Sequence, residues 1–150
     1  MREYFGMSLF DVSKNEREKR ILSDPALDET LRILLIRLGV TPRLRGYDYL
    51  SHAIKLGVAH RGYLNSVTTK IYPVVAEKYG VEAAVVERNI RHAIEVVIER
   101  DRTKRLNEFL GAEVFSSADR PTNAEVISLV ADKISADLRA KEGRAPGGRG

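Results

Sequence analysis

A glutamate and two arginines, Glu87, Arg88 and Arg91, are the residues of this 150-residue chain whose types and spacing best suit molecular recognition. An arginine can donate two parallel hydrogen bonds to O6 and N7 of guanine, and a glutamate can accept one from the N4 amine of cytosine. Glu87 and Arg91 are four residues apart, so on a helix they can form an ion pair that orients the arginine. The three side chains are therefore suited to reading the edges of base pairs, although a merely hydrated helix face is the alternative.

The element that must position these side chains is predicted to be an amphipathic helix over residues 82–99. Apolar residues recur there at intervals of four, three, one and three, which is typical of a buried helical stripe. This stripe consists of Val86, Ile90, Ala93, Ile94 and Val97. At 100° per residue, the opposite side carries Ala84, Arg88, Arg91, His92 and Glu95, with Glu87 and Asn89 on its shoulders. The charged side chains therefore face away from the core.

A second helix is predicted just before this one, over residues 66–79. Ser66 is a suitable N-cap, and Gly80 is suited to the left-handed conformation that ends a helix. Pro73 lies inside the segment, where it removes one backbone hydrogen bond and should kink the helix. Two helices joined by a glycine turn indicate a helix-turn-helix, and an ordinary structural helical hairpin is the alternative.

Charge is unevenly distributed along the chain, whose formal net charge is +4. Residues 41–105 contain 12 Lys and Arg against 7 Asp and Glu, whereas residues 106–138 contain 2 against 6. The basic excess therefore lies on the helix pair, and a smaller one lies on the tail. Such a concentration is expected of a protein that contacts phosphates.

The rest of the chain is also predicted to be helical, because strand signals are lacking. Helices are expected near residues 26–38, 47–58, 66–79, 82–99, 103–110 and 123–139. The last begins with a capping box, in which Glu125 reaches back to Thr122. The sequence thus predicts an all-α bundle of about six helices that contains the helix-turn-helix.

Four sequence runs resemble the DNA-binding effector domain of stage zero sporulation protein A, a response regulator. They are GYDYL at 46–50, IYP at 71–73, VERNIRHAIEVV at 86–97 and PTNAEVISLVADKI at 121–134. The resemblance covers roughly residues 30–139, and it implies a transcription regulator of sporulation that binds double-stranded DNA. The family's recognition helix matches residues 83–97, and its glutamate and two arginines are present as Glu87, Arg88 and Arg91. One departure is Val85, which stands where a well-known member has a base-reading arginine. Valine can contact a thymine methyl group but cannot read guanine, so an altered target sequence is expected.

The resemblance also implies contacts outside the base edges. Arg139 matches the basic end of the family's final helix, which approaches the DNA backbone, and Ser66 is expected near a phosphate. His92, on the exposed face, can donate to a phosphate or have no role at all. Members pair head to tail on tandem sites, and they contact the sigma subunit of RNA polymerase through a segment that only loosely matches Arg100–Phe115 here.

The expected organisation is an N-terminal extension at 1–25, partly flexible, an effector domain at 26–139 and a disordered basic tail at 140–150. The family's effector domain follows a receiver domain of well over 100 residues, for which the 25 to 40 preceding residues leave no room. A stand-alone relative or a fragment of a longer chain would both fit.

Composition argues against other functions. The chain has no cysteine, and its three histidines lack the spacing of a metal site, so we expect neither a metal nor any other cofactor. No arrangement of catalytic groups is evident, and we expect no enzymatic activity. Neither a membrane span nor a secretory leader is recognisable, which favours the cytoplasm. The remaining alternative is a protein-interaction module that keeps the bundle without specific DNA binding and pairs with a full-length regulator.

Overall fold

The architecture is all-α, as the sequence predicts. A computed structural model describes residues 9–116 and 118–143, with side chains from residue 15 onward. The helices are α1 (Leu9–Leu22), α2 (Pro25–Arg37), α3 (Arg45–Ala59), α4 (Tyr72–Tyr79), α5 (Ala83–Glu99), α6 (Thr103–Leu110) and α7 (Asn123–Gly143). A 3₁₀ turn at Arg61–Asn65 and a π-helical turn at Val67–Ile71 connect α3 to α4. The described residues contain no strand.

Helix α3 lies at the centre of the bundle and contacts α1, α2, α4, α5 and α7. Leu50 and Ile54 of α3 are at most 1% exposed, as are Ile90 of α5 and Ile127 of α7. Near the start of α3, Gly46 lies directly under α5, where a Cβ atom would overlap the carbonyl oxygen of Asn89. The missing side chain therefore lets α3 and α5 approach closely.

The segment before the glycine turn differs from the single kinked helix that the sequence predicts. The backbone N–H of Tyr72 donates to the carbonyl oxygen of Val67, five residues back, and α4 begins only then. Pro73 consequently lies in the first turn of α4, where its missing N–H is tolerated. The irregularity thus precedes the proline. Ser66 occupies the N-cap position of the π-helical turn, as predicted, but its side chain forms no capping hydrogen bond.

The capping box of α7 is confirmed. The backbone N–H of Thr122 donates to Glu125 Oε1 at 2.8 Å, and the N–H of Glu125 donates to Thr122 Oγ1 at 3.1 Å. Reciprocal bonds of this kind satisfy two N–H groups that the first helical turn leaves free. They fix the point at which α7 begins, which is beside the helix pair.

The two ends of the chain are more helical than the sequence indicates. Helix α1 lies within the N-terminal extension and packs on α3, and α7 continues to Gly143, past the expected boundary at residue 139. Residues 1–8 and most of the predicted tail, residues 144–150, lie outside the described part. The expected flexibility and disorder at these two ends remain predictions.

Candidate nucleic-acid interface

Helices α4 and α5 are joined by a three-residue turn. Gly80 adopts the left-handed conformation there, with φ of +66° and ψ of +34°. The N–H of Val81 donates to the carbonyl oxygen of Ala76 at 3.0 Å, which satisfies a carbonyl at the end of α4. A Cβ atom on Gly80 would meet nothing within 4 Å, so backbone conformation, not space, favours glycine here. The prediction of a glycine-terminated first helix is confirmed.

The buried face of α5 is the stripe that the sequence predicts. All five of its residues are buried: Val86, Ile90, Ala93, Ile94 and Val97. They pack against α3, α4 and α7. Each valine or isoleucine side chain contributes about 1.5 to 3 kcal/mol when it is fully removed from water. Burial of this face therefore decides which side chains of α5 point outward.

The exposed face of α5 carries the predicted base-reading residues. Arg91 Nη2 lies 3.2 Å from Glu87 Oε2, and both side chains are about half exposed, at 52% and 49%. Such a solvated pair is worth only about 0.3 to 0.5 kcal/mol, enough to bias the arginine's orientation. The guanidinium of Arg88 forms no hydrogen bond or ion pair with any residue that the structure describes. Its guanidinium is therefore available to a ligand.

Val85 lies at the edge of this face and is only partly exposed, since it also packs against the core. Its carbonyl oxygen accepts a 2.8 Å hydrogen bond from the side chain of Asn89. This bond keeps the Asn89 amide on its own helix. The valine side chain offers an apolar contact and no hydrogen bond.

The three predicted phosphate ligands lie at separate places. His92 is exposed on α5, with Nδ1 3.9 Å from Glu95 Oε1. Ser66 is partly exposed at the junction between the 3₁₀ and π-helical turns. Arg139 is exposed near the end of α7, about 24 Å along that helix from Asn123. The structure thus places His92 on α5, Ser66 in the turns that lead into α4, and Arg139 towards the far end of α7.

Asn123 is a residue of this site that sequence reasoning did not identify. Its Nδ2 donates to the Glu87 carbonyl oxygen at 3.0 Å and to Tyr72 Oη at 3.1 Å, and it thereby links α7 to both α5 and α4. Burial raises the pKa of Tyr72, and the Asn123 bond acts in the opposite direction. The partners are 36 and 51 residues away in sequence, so only the capping context of Asn123 could have drawn attention to it.

A groove of about 400 Å³ runs beside α5 at this junction. Its lining includes Thr68, Tyr72, Glu87, Arg91, Arg120 and Asn123. The polar groups come from α5, from the π-helical turn and the first residue of α4, and from the start of α7 with the segment just before it. The exposed face of α5 and the beginning of α7 therefore line the same groove.

Within the described ranges, no group of three or more His, Cys, Asp or Glu residues is arranged to hold a metal ion. None of the described helices combines the length and the apolar character that crossing a membrane requires.

The fold is all-α, and the pairing of α4 with α5 through the Gly80 turn is consistent with a helix-turn-helix. Comparison with known families agrees, because residues 31–134 match the family described as sporulation initiation factor Spo0A C terminal. The chain belongs to this family, whose members are DNA-binding regulatory domains of sporulation. The resemblance predicted from the four sequence runs is therefore confirmed. The match runs from within α2 to within α7, and α1 lies outside it.

Proposed function

We propose that this protein is a sequence-specific, non-enzymatic transcription regulator that inserts α5 into the major groove of double-stranded DNA. The observation that carries the proposal is the state of Arg88, which is exposed on α5 with no partner among the described residues. Arg88 would read a guanine, and Glu87 and Arg91 would contact neighbouring bases. In helix-turn-helix proteins the second helix occupies the major groove while the first crosses the backbone. In that arrangement α4 and Ser66 would lie next to phosphates, and His92 would donate a hydrogen bond to a further phosphate.

The test is Arg88→Ala, measured by binding to a selected duplex and to the same duplex with one guanine replaced. Loss of a bidentate arginine–guanine contact should remove about 1 to 3 kcal/mol of discrimination at that base pair. Arg32→Ala is the matched control, because it removes the same charge from α2, where Arg32 pairs with Glu29. Equal sequence preference in the Arg88 variant and the unaltered protein would contradict the assignment. Retained partner binding without any DNA preference would favour the interaction module.

Val85 should alter the target sequence relative to relatives with an arginine at that position. A partly exposed valine cannot donate to guanine, so selection of binding sites should show no guanine preference at the base pair facing residue 85. Val85→Arg should create that preference. A guanine requirement already present in the unaltered protein would refute this proposal.

We also propose that the protein contacts the sigma subunit of RNA polymerase, as members of the family do. The stretch Arg100–Phe115 contains α6, which together with α2 lines a cavity of about 480 Å³ that includes Ile33 and Phe109. Ile33 is 45% exposed, which suits an apolar contact with the sigma subunit of RNA polymerase. Ile33→Glu should abolish sigma binding and leave DNA affinity unchanged. Unchanged sigma binding in this variant would refute the assignment.

Head-to-tail pairing on tandem sites is the second partner proposal, with Arg139 near the backbone. Sedimentation should show a monomer without DNA and two copies on a duplex with two sites. Two copies that bind independently, with no gain from adjacent sites, would contradict pairing.

A further inference from the structure

A cavity of about 550 Å³ lies at the end of the bundle away from the start of α7. We name it the arginine groove after four of its lining residues, Arg17, Arg20, Arg61 and Arg139. Two come from α1, one from the turn after α3 and one from α7. Asp24 and Glu142 are the acidic residues in its lining, so cationic groups outnumber anionic ones by four to two.

Helix α1 is fastened to this end of the bundle by polar contacts. Arg17 Nη1 donates to the carbonyl oxygen of Ala59, the last residue of α3, at 2.6 Å. Glu18 Oε1 lies 2.9 Å from His60 Nε2, and the His60 ring stacks on Tyr63 at 4.4 Å between centroids. These contacts hold the last turns of α1, and with them Arg20, at the edge of the groove. This helix is not part of the matched family segment.

The four arginines differ in whether they are already engaged. Arg17 is bonded to Ala59, and Arg61 Nη2 lies 2.6 Å from Asp132 Oδ1. Arg20 and Arg139 form no hydrogen bond or ion pair with the residues described. Two guanidinium groups from different helices are thus available at one groove, where they suit the planar, bidentate recognition of a phosphate.

The groove is connected along the chain to the segment that leads into α4, because Arg61 is one of its lining residues. Arg61 begins the five-residue 3₁₀ turn that leads to Ser66, a distance of about 10 Å at 2.0 Å per residue. Because the first helix of a helix-turn-helix crosses the backbone, the residues that lead into it lie beside phosphates. Phosphates follow one another every 3.4 Å or so along the axis of one strand, so a few more phosphates would extend from Ser66 to the groove.

We propose that the arginine groove binds the phosphate backbone of the same duplex whose bases α5 reads, with Arg20 and Arg139 as its free cations. This inference rests on the proposed function. It adds α1 to the DNA-binding surface and gives Arg139 a second cation in the same groove. Because phosphates carry no sequence information, the groove should raise affinity for every duplex and leave base preference unchanged.

The experiment measures the affinity of Arg20→Ala for a selected and an unrelated duplex across a range of salt concentrations. We expect affinity for both duplexes to fall about three- to fivefold at low salt. The slope of log affinity against log salt should decrease by about 0.9 for the lost phosphate contact. Lys19→Ala is the matched control, since Lys19 is the exposed neighbour on α1 and does not line the groove. Arg20→Lys should restore the slope, because it restores the charge.

The outcomes separate this inference from the proposed function. An unchanged slope for Arg20→Ala, with Arg88-dependent base preference intact, overturns the groove alone. A variant that binds DNA normally but changes self-association without DNA shows that the groove takes a second copy, which also overturns it. If the unaltered protein binds no duplex, the proposed function fails and the inference fails with it. Circular dichroism of each variant verifies that the helices remain folded.

Discussion

The two faces of α5 are built from the same helix yet hold their side chains in opposite ways. On the buried face, Val86, Ile90 and Ala93 have no measurable exposure and are fixed by neighbours from several helices. On the other face, the side chains of Glu87 and Arg91 pair with each other at 3.2 Å, and the Arg88 guanidinium has no partner among the described residues. The first face determines where the helix lies, and the second leaves its hydrogen-bonding groups to a ligand. Substitutions on the two faces should therefore affect different measurements.

The largest expected effect comes from the buried face. Ile90→Ala removes a fully buried side chain at the centre of the bundle and should lower the free energy of unfolding by about 2 to 5 kcal/mol. Arg88→Ala, two residues earlier, should change it by less than about 0.5 kcal/mol, because the side chain is exposed. Chemical denaturation of both variants measures the difference. A similar decrease in the free energy of unfolding for the two variants would contradict the proposal that only the buried face of α5 stabilises the fold.

A smaller effect is expected where α3 crosses α5. Gly46→Ala would place a Cβ atom against the Asn89 carbonyl oxygen and 3.0 Å from the Ala93 Cβ. The helices must separate to relieve this overlap, at a cost of about 1 to 3 kcal/mol in stability. Gly62→Ala is the control, since a Cβ there meets nothing within 4 Å. Thermal unfolding should show a lower melting temperature for the first variant only. Equal melting temperatures for the Gly46 and Gly62 variants would show that α3 and α5 can accommodate the extra Cβ atom without loss of stability.

Asn123→Ala tests whether packing between helices also positions the exposed face of α5, because Asn123 links α7 to Tyr72 of α4 and to Glu87 of α5. Loss of its two hydrogen bonds should cost about 1 kcal/mol of stability. It should also weaken binding to the selected duplex, since Glu87 and Arg91 are less well positioned. Ala124→Ser, at the exposed next residue, should do neither. Lower stability with fully retained DNA affinity would mean that Asn123 has no positioning role.

The smallest effect concerns the stability of the protein in acid. His52 of α3 packs edge to face with Tyr79 of α4. Burial, with smaller effects of Lys78 and Lys55, lowers the pKa of His52 from 6.5 to about 4. Below pH 6.5, His52 therefore becomes protonated in the unfolded chain, whereas in the folded protein it stays neutral until about pH 4. The free energy of unfolding should have its full value above pH 6.5. It should fall by about 1 kcal/mol as the pH is lowered towards 4, a figure that allows for the partial exposure of His52. Unfolding measured at pH 7 and pH 4.5 should show a smaller difference in His52→Gln, and an equal difference would contradict the assignment.

The parts of the structure that sequence predicted are those that depend on local pattern. The stripe on α5, the left-handed Gly80 and the capping box at Thr122 each follow from spacing or from the conformation of single residues. Helix α1 was not predicted, because its sequence is highly charged and it is held by Arg17 and Glu18, which bond to residues 42 positions away. The same limit applies to the candidate site. Its exposed arginines could be placed on one face from the helical period, but contacts made across the fold could not.

The exposed face of α5 is proposed to distinguish one DNA sequence from another. This is tested most directly when two duplexes compete for the unaltered chain at moderate ionic strength, one enriched by binding-site selection and the other of random sequence. We expect the selected duplex to bind at least about 10³-fold more tightly, as specific DNA-binding proteins typically do. Equal affinity for the two duplexes would contradict the account and reduce the family relationship to a shared scaffold.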